Sequence, residues 1–470
     1  MGSDREVVTL QFGSLANHVG TQYWNMQESW AQRSSDGWGL DTTGVLYSEI
    51  SGAQGSATYH PRLVLCDASG SLGRGWASTS GTPNVQADDA ATQTWLGQTH
   101  CVGRVAADEG AQQSFTSLAE WHPHPRSTQL IPGVWQGVSP FSAFSAGTSD
   151  ALPAGFREGL VDVVRSFVED CDCPQGLQAL VDDQSGFGGL AAATLAELKE
   201  DLALPVAIFC VRDAGAAGTA NNFHAPLNAA MSYAQLAGIA EVYATPTAPA
   251  RLTFTDQSVG PASFPFPGTN CLAAALFNCS LPYVLGGISA QPPPASVSGT
   301  LGTLRQVASL LTSANNSPLT GLAVRAAVGA DPCLDMLSLA PAALSLRGRN
   351  AELATWSGAP GSIADARARL AAALAQDASV DGAEPGPSAC TAIARGLREA
   401  DGVAPARAAQ ASTLTLWWAG PAFADEARAA QGTVRRALRT PLASDAVADD
   451  AEGILGRLEE LRLAFSSAED

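Results

Sequence analysis

The chain has 470 residues with 26 basic and 45 acidic side chains, which gives a formal net charge of −19. A chain this acidic is repelled by nucleic acid and by anionic membranes, which argues against binding to either. No stretch approaches the roughly 20 consecutive apolar residues of a membrane-spanning helix, so we expect no transmembrane segment. The nine cysteines are scattered and odd in number, which is typical of free thiols in a reducing compartment.

The chain opens with a predicted strand at residues 5–12 (REVVTLQF), which is rich in β-branched residues. Small residues, including Gly13 and Gly20, then lead into a predicted helix. A second buried strand follows at 62–66 and ends at Asp67. This opening is therefore predicted to be a strand, a tight turn and a helix, followed by a neighbouring strand.

A glycine-rich turn follows a predicted strand at 177–181 and precedes an alanine-rich helix. Its glycines are Gly186, Gly188 and Gly189. In α/β proteins such a turn often holds a phosphate, because small residues let the backbone approach the ligand and the helix N-terminus supplies N–H groups. The same pattern also serves simple packing of a strand against a helix, and the turn by itself leaves both interpretations open.

Strands and helices alternate on both sides of this turn. The segment 156–171 predicts an amphipathic helix, 205–211 a further strand and 221–243 another helix. This alternation predicts an α/β fold with a doubly wound parallel sheet. After a proline-rich edge at 291–294 the pattern changes, and the rest of the chain is predicted to be mostly α or α+β. Its predicted elements are helices at 299–313, 362–376, 422–439 and 445–465 and a strand at 412–419.

Motifs of conventional enzymes are missing from the sequence. There is no Gly-x-Ser-x-Gly, no Gly-Lys-Ser/Thr phosphate loop and no His-Glu-x-x-His. The one histidine cluster, at 122–127, lies between prolines and is predicted to be a structural turn. We therefore assign no catalytic residue and no metal ligand.

Several ordered stretches resemble tubulin, and more closely the Misato family of tubulin-related proteins. They are residues 5–24 (REVVTLQFGSLANHVGTQYW), 59–67 (YHPRLVLCD), 122–127 (HPHPRS) and 171–181 (CDCPQGLQALV). The resemblance covers roughly residues 4–290. It implies a tubulin/FtsZ-like doubly wound parallel sheet with helices on both faces. It also implies three regions. They are 1–120, a Misato segment II part with the first nucleotide-loop equivalents; 121–290, a tubulin-like core with the degenerate glycine signature; and 291–470, a helix-rich C-terminal region.

The resemblance places a degenerate nucleotide site on this chain. The phosphate-facing pair of the first tubulin loop falls on Ser14 and Leu15, and the acid near the tubulin magnesium falls on Ser69. In the glycine signature Phe187 replaces a hydroxyl residue and Leu190 replaces a glycine. The positions that keep a nucleotide-binding residue type, with Asn228 as the expected guanine contact, are Gln11, Asn17, Gly20, Asp67, Gly186, Gly188, Gly189 and Asn228.

The resemblance implies a non-enzymatic role without a cofactor. In tubulin a neighbouring subunit donates an acidic loop that positions water, and residues 230–300 contain no such motif. The implied role is in mitochondrial organisation, distribution, morphology and inheritance, at the mitochondrial outer surface as a peripheral protein and in the cytoplasm. The implied partners are tubulin, its chaperonin or a mitochondrial outer-surface protein. The alternatives are a guanine-nucleotide switch or slow GTPase that binds GTP, and a scaffold whose old nucleotide crevice is filled by side chains.

Overall fold

The architecture is that of a computed structural model of the chain. The residues that it describes are 5–31, 42–51, 57–72, 119, 121–135, 141–148, 152–213, 224–248, 269–288, 297–299, 301–313, 317–328, 331–332, 337–338, 351–358, 389–394, 412–419, 423–439 and 451–465. Everything below refers to these residues.

The described strands and helices alternate through the first half of the chain. The strands are β1 Val7–Phe12, β2 Tyr47–Ser51, β3 Ala57–Pro61, β4 Leu63–Ser69, β5 Thr128–Trp135, β6 Gly176–Val181, β7 Val206–Cys210, β8 Arg212–Asp213, β9 Val242–Ala244, β10 Thr247–Ala248, β11 Val297–Gly299, β12 Leu319–Val328, β13 Asp331–Pro332, β14 Leu337–Ser338, β15 Ala351–Gly358, β16 Ala389–Ala394 and β17 Ser412–Ala419. The helices are α1 Ser14–Ala31, α2 Thr43–Leu46, α3 Phe144–Thr148, α4 Phe156–Glu169, α5 Gly186–Leu202, α6 Ala225–Ile239, α7 Thr269–Gly287, α8 Leu304–Thr312, α9 Phe423–Ala437 and α10 Ala451–Leu463.

A seven-stranded parallel sheet forms the centre of the fold, in the order β12-β9-β7-β6-β1-β4-β5. Strand β1 lies between β6 and β4, with Thr9 opposite both Gln178 and Leu63. The chain first builds outward from β1 through β4 to β5 and then returns to β6 on the other side. In such sheets the loops beyond the strand C-termini diverge at this switch and form a crevice. The predicted α/β fold class is confirmed.

Helices cover both faces of this sheet and bury a hydrophobic core on each. Successive residues of β1 enter opposite cores, with Val7 on the face of α1 and α7 and with Val8 on the face of α4, α5 and α6. All six residues of β1 are buried, which is typical of parallel strands covered on both faces. The C-terminal helices α9 and α10 complete the second core, since Phe423 and Leu458 are buried in it.

In the described residues, the C-terminal part contains both strands and helices, which agrees with the prediction of a mostly α or α+β region. Strand β12 hydrogen-bonds β9 in the parallel sheet and β17 in an antiparallel arrangement, and β17 pairs with β15. Strands β12, β15 and β16 were not predicted, whereas the strand at 412–419 and the helices around 422–439 and 445–465 are confirmed. The helix predicted at 362–376 lies outside the described residues. The helix predicted from 299 begins at Leu304, because Thr303 and Gln306 form a capping box.

The three predicted regions remain a prediction, although β12, from the third, continues the parallel sheet of the second. Within the described residues, none of the helices is both long and apolar enough to cross a membrane.

Candidate functional site

The first loop leaves β1 at Gly13, whose positive φ of 93° suits glycine. Behind it, Asn17 and Asp67 meet. The Nδ2 atom of Asn17 donates to Oδ2 of Asp67 at 2.7 Å, and the hydroxyl of Ser14 donates to both carboxylate oxygens at 3.2 Å. The structure therefore brings two predicted site residues, Asn17 and Asp67, into direct contact.

Asp182, which follows β6, is a second carboxylate at the same end of the sheet, and the pKa values of both Asp67 and Asp182 are raised. Burial raises the pKa of Asp67 to about 6, against the opposing effect of its hydrogen bonds from Asn17 and the backbone of Ala68. Burial and the neighbouring Asp183 raise the pKa of Asp182 to about 7, and Asp67 contributes to that rise. Three carboxyl groups thus lie near one another, and the charges of Asp183 and Asp67 disfavour the charged form of Asp182.

Gln11 on β1 and Gly20 on α1 contact each other in the interior of the fold. A Cβ atom at Gly20 would lie 2.0 Å from Nε2 of Gln11, so glycine is needed for α1 to approach β1 here. Gln11 is fully buried, and neither polar atom of its side chain has a hydrogen-bond partner among the described residues. This pair supports helix packing, and its position is set by the contact between α1 and β1.

The glycine turn contacts another segment of the same chain, residues 141–148, which we call the strap. The backbone N–H of Gly186 donates to the carbonyl of Phe141 at 3.0 Å. A Cβ atom at Gly189 would lie 2.1 Å from the carbonyl oxygen of Phe144, and one at Gly147 would lie 2.0 Å from the carbonyl oxygen of Gly186. Because these glycines have no side chain, the backbone of the strap lies directly against the backbone of the glycine turn.

The third glycine of the signature has a different neighbour. A Cβ atom at Gly188 would lie 2.2 Å from the hydroxyl oxygen of Ser232 on α6. Ser185 caps the N-terminus of α5, since its hydroxyl accepts from the N–H of Phe187 at 3.4 Å. Gly188 thus lets α5 and α6 pack closely, and Ser185 satisfies one of the free N–H groups of α5.

Phe187 lies between the glycine turn and the first loop. A Cβ atom at Gly13 would lie 2.8 Å from Cδ2 of Phe187, and the Phe141 ring meets the Phe187 ring edge-on at 4.9 Å. Only 6% of Phe187 is exposed, and Leu190 is fully buried in the core. The two residues that depart from the glycine signature are therefore packed into protein.

Asn228 on α6 is bonded to the strap and to the glycine turn. Its Oδ1 atom accepts from the N–H of Phe144 at 2.8 Å. Its Nδ2 atom donates to the carbonyl of Ser142 at 2.5 Å and to the carbonyl of Gln184 at 2.9 Å. Both donor hydrogens and one acceptor site of the amide are thereby used within the chain.

A guanine nucleotide held as in tubulin needs the glycine turn for its phosphates and an asparagine for its base. The turn and Asn228 are both engaged by the strap, and Phe187 covers the first loop. The described residues therefore do not fit a nucleotide in that manner. Among the described residues, no group of three or more His, Cys, Asp and Glu side chains could hold a metal ion.

A buried charge cluster next to the turn was not predicted from the sequence. The guanidinium of Arg212 donates from Nε at 3.0 Å and from Nη2 at 2.5 Å to the carboxylate of Asp183, which is fully buried. Arg212 also lies 3.7 Å from Glu426 on α9, and the hydroxyl of Thr245 donates to Glu426 at 3.0 Å. The available signal was an arginine directly after a buried strand, in a chain with few basic residues.

The strap was also missed, and its signal was the small-residue run Ser-Ala-Gly-Thr at 145–148. The predicted turn at the histidine cluster is present, since the N–H of Arg126 donates to Nδ1 of His124 at 3.1 Å.

The first loop after β1 and the glycine turn after β6 meet at the switch in strand order of the parallel sheet. This arrangement is that of an α/β protein and is consistent with a tubulin-like fold. Residues 5–116 match the family model of the Misato Segment II tubulin-like domain. The predicted resemblance to the Misato family is thereby confirmed.

Individual relatives carry the same family name. Protein misato of Drosophila melanogaster is 28% identical over 249 residues, which are 43% of each chain. Protein DML1 of Gibberella zeae is 30% identical over 218 residues, 42% of this chain and 44% of the relative. Protein misato homolog 1 of Mus musculus is 30% identical over 240 residues, 43% of this chain and 42% of the relative. Each match covers less than half of the relative's length.

Proposed function

We propose that this chain is a non-enzymatic, tubulin-like protein of the Misato type, which acts through its surfaces and not through nucleotide turnover. The observation that carries the proposal is the set of bonds between Asn228 and the strap, because a base contact cannot use an amide that is already bonded. The Phe187 ring against Gly13 supports it, since it takes space beside the first loop.

The cellular role in this proposal is the organisation, distribution, morphology and inheritance of mitochondria. It rests on the family resemblance, and the bonds between Asn228 and the strap support a role without nucleotide. The proposed location is the mitochondrial outer surface, as a peripheral protein, and the cytoplasm. The proposed partners are tubulin, the tubulin chaperonin or a protein of the mitochondrial surface.

Titration of the purified, nucleotide-stripped protein with GTP tests the non-enzymatic proposal. We expect no saturable heat of binding up to about 100 μM GTP, because about micromolar affinity requires roughly 8 kcal/mol of binding free energy from groups that are already bonded elsewhere. ATP serves as the control ligand for non-specific binding. Stoichiometric, saturable binding of GTP but not ATP by the folded chain would contradict the proposal.

A guanine-nucleotide switch is the second candidate, and one observation favours it. Ser14, Asn17 and Asp67 keep a connected polar cluster at the C-terminal ends of β1 and β4. If this cluster contacts a nucleotide, Ser14→Ala should weaken GTP binding by about tenfold, the effect of losing roughly 1.4 kcal/mol. A wild-type protein that does not bind GTP leaves this candidate without support.

A further inference from the structure

We propose that the crevice between the glycine turn and α6 is a peptide-binding groove, and that residues 141–148 are its ligand within the same chain. This inference rests on the proposed function, because it assigns to the crevice an occupant other than nucleotide. The groove consists of Gly186 and Gly189 on α5, the ring of Phe187 and the side-chain amide of Asn228.

Asn228 recognises the backbone of the strap. One amide accepts the N–H of Phe144 and donates to the carbonyl of Ser142, two residues earlier. A side-chain amide can pair in this way with a peptide backbone because it carries the same donor and acceptor as a peptide bond. Asn228 is only 2% exposed, so both hydrogen bonds lie in the interior, where an unpaired partner is costly.

The glycine turn supplies the other side of the groove. Gly186 donates its N–H to the carbonyl of Phe141, in the position where a helix N-terminus binds an anion or a carbonyl oxygen. Gly189 faces the carbonyl of Phe144, and Gly147 of the strap faces the carbonyl of Gly186. Glycine is therefore required on both sides of the contact, because either added Cβ atom would come within about 2 Å of a backbone oxygen.

The chemistry of the ligand follows from these contacts. The bound segment reads Phe-Ser-Ala-Phe-Ser-Ala-Gly-Thr. Its Phe141 ring packs edge-on against Phe187, Phe144 is buried in the same core as Phe187, and Cγ2 of Thr148 lies beside Gly189. Its other contacts to the groove use backbone groups. The groove therefore selects a short peptide with aromatic residues at its first and fourth positions and glycine at its seventh.

Three glycine-to-alanine variants of the full chain test the groove. Gly147→Ala places a Cβ atom of the strap against the carbonyl oxygen of Gly186, and Gly189→Ala places a Cβ atom of the groove against the carbonyl oxygen of Phe144. Gly159→Ala on α4 is the matched control, since an added Cβ atom there has nothing within 4 Å. Hydrogen exchange of the Gly186 and Phe144 N–H groups should accelerate by about tenfold or more in the first two variants and remain unchanged in the third, because only the first two break the contact.

A synthetic peptide of residues 141–148 then separates binding from simple packing. Added at millimolar concentration, it should restore slow exchange of the Gly186 N–H in Gly147→Ala, whose groove is intact. It should not restore it in Gly189→Ala, whose groove is blocked. The same peptide with alanine at the position of Gly147 should not slow the exchange in either variant. Wild-type exchange rates in Gly147→Ala, or no rescue by the peptide when that variant is folded, would overturn the inference.

Phe141→Ala is the milder variant if Gly147→Ala does not fold, since it removes one half-buried ring and leaves the backbone contacts possible. In this variant the Gly186 N–H should exchange faster, and the wild-type peptide should reverse that increase. Unchanged exchange of the Gly186 N–H would overturn the inference. GTP titration of the same samples distinguishes the two proposals. GTP binding by the wild type contradicts the proposed function, whereas loss of peptide rescue contradicts only the groove.

Discussion

At the scale of single residues, the glycine turn is in contact with backbone atoms of the strap. Phe187 falls where the resemblance places a hydroxyl residue, and its ring packs over Gly13 and against Phe141. Gly186 and Gly189 leave the backbone of the turn open to close contact, as in a phosphate site. The oxygen atoms in close contact with it are the backbone carbonyls of Phe141 and Phe144 in the strap.

The carboxyl groups of Asp67, which is buried, and Asp182, which is partly buried, predict a pH dependence of stability. The pKa of Asp182 is raised to about 7 and that of Asp67 to about 6, above roughly 3.9 in the unfolded chain. The folded state therefore holds these protons more tightly, and their stabilising effect is present at low pH and is lost as the pH rises through about 4 to 7. Asp182→Asn should flatten this dependence and raise the free energy of unfolding at pH 8 by about 1–3 kcal/mol.

Urea unfolding of the wild type and of Asp182→Asn at pH 5 and pH 8 measures this effect. Asparagine keeps an oxygen that can accept from the N–H of Gln184, as Oδ1 of Asp182 does at 3.3 Å. Glu158→Gln, on the exposed first turn of α4, is the control for a general loss of negative charge. An Asp182→Asn profile parallel to that of the wild type would show that this carboxyl group is charged in the folded protein at both pH values.

At the scale of secondary-structure elements, Arg212 joins the glycine turn to the C-terminal helix α9. It pairs with Asp183 before the turn and with Glu426 on α9, and its side chain is only 14% exposed. Burial raises the pKa of Glu426, and the guanidinium opposes that rise. One cation therefore offsets two buried carboxylates, and the position of α9 depends on it.

Arg212→Met should destabilise the protein by about 3–5 kcal/mol, because it leaves buried carboxylates without their counter-charge. Arg428→Met on α9 is the matched control, since Arg428 pairs with Asp425 in an exposed ion pair that should contribute less than about 1 kcal/mol. Thermal and urea unfolding measure both variants. Equal losses in the two variants would mean that the Arg212 cluster does not hold α9 in place.

At the scale of the whole molecule, the tubulin-type core and the C-terminal part form one structure in the described residues. Strand β12 extends the parallel sheet, and α9 and α10 complete the core against α6. The C-terminal part therefore shares both a sheet and a hydrophobic core with the first half of the chain.

The proposed role predicts that depletion of the protein from its own cells alters the mitochondrial network. Re-expression of the wild type should restore the network, and Ser14→Ala should restore it equally, because the proposed role needs no nucleotide. Imaging of mitochondria, with the level of each expressed chain measured alongside, checks this outcome. An unaltered network after depletion would contradict the mitochondrial role, and failure of a folded Ser14→Ala chain would favour the nucleotide switch.

The fold of the first half could be predicted because its signals are local. The alternation of apolar strands with helices, and the order of the motifs at 5–24, 59–67 and 171–181, do not depend on distant contacts. Strands β12, β15 and β16 could not be predicted in this way, since their strand state depends on pairing with one another through β17. Strand propensity is decided largely by such neighbours.

For the candidate site too, the residue types could be predicted from the sequence and the contacts could not. The resemblance to tubulin predicted which positions keep or lose a nucleotide-binding residue type, including the departures at Phe187 and Leu190, and this stays a prediction. Only the tertiary structure decided what those positions contact: Gln11 lies against Gly20 inside the fold, Asn228 bonds the strap, and the glycine turn holds backbone oxygens of residues 141–148. The physical reason is that the strap and Asn228 are more than 80 residues apart in sequence, so their hydrogen bonds exist only once the sheet has brought them to the same edge.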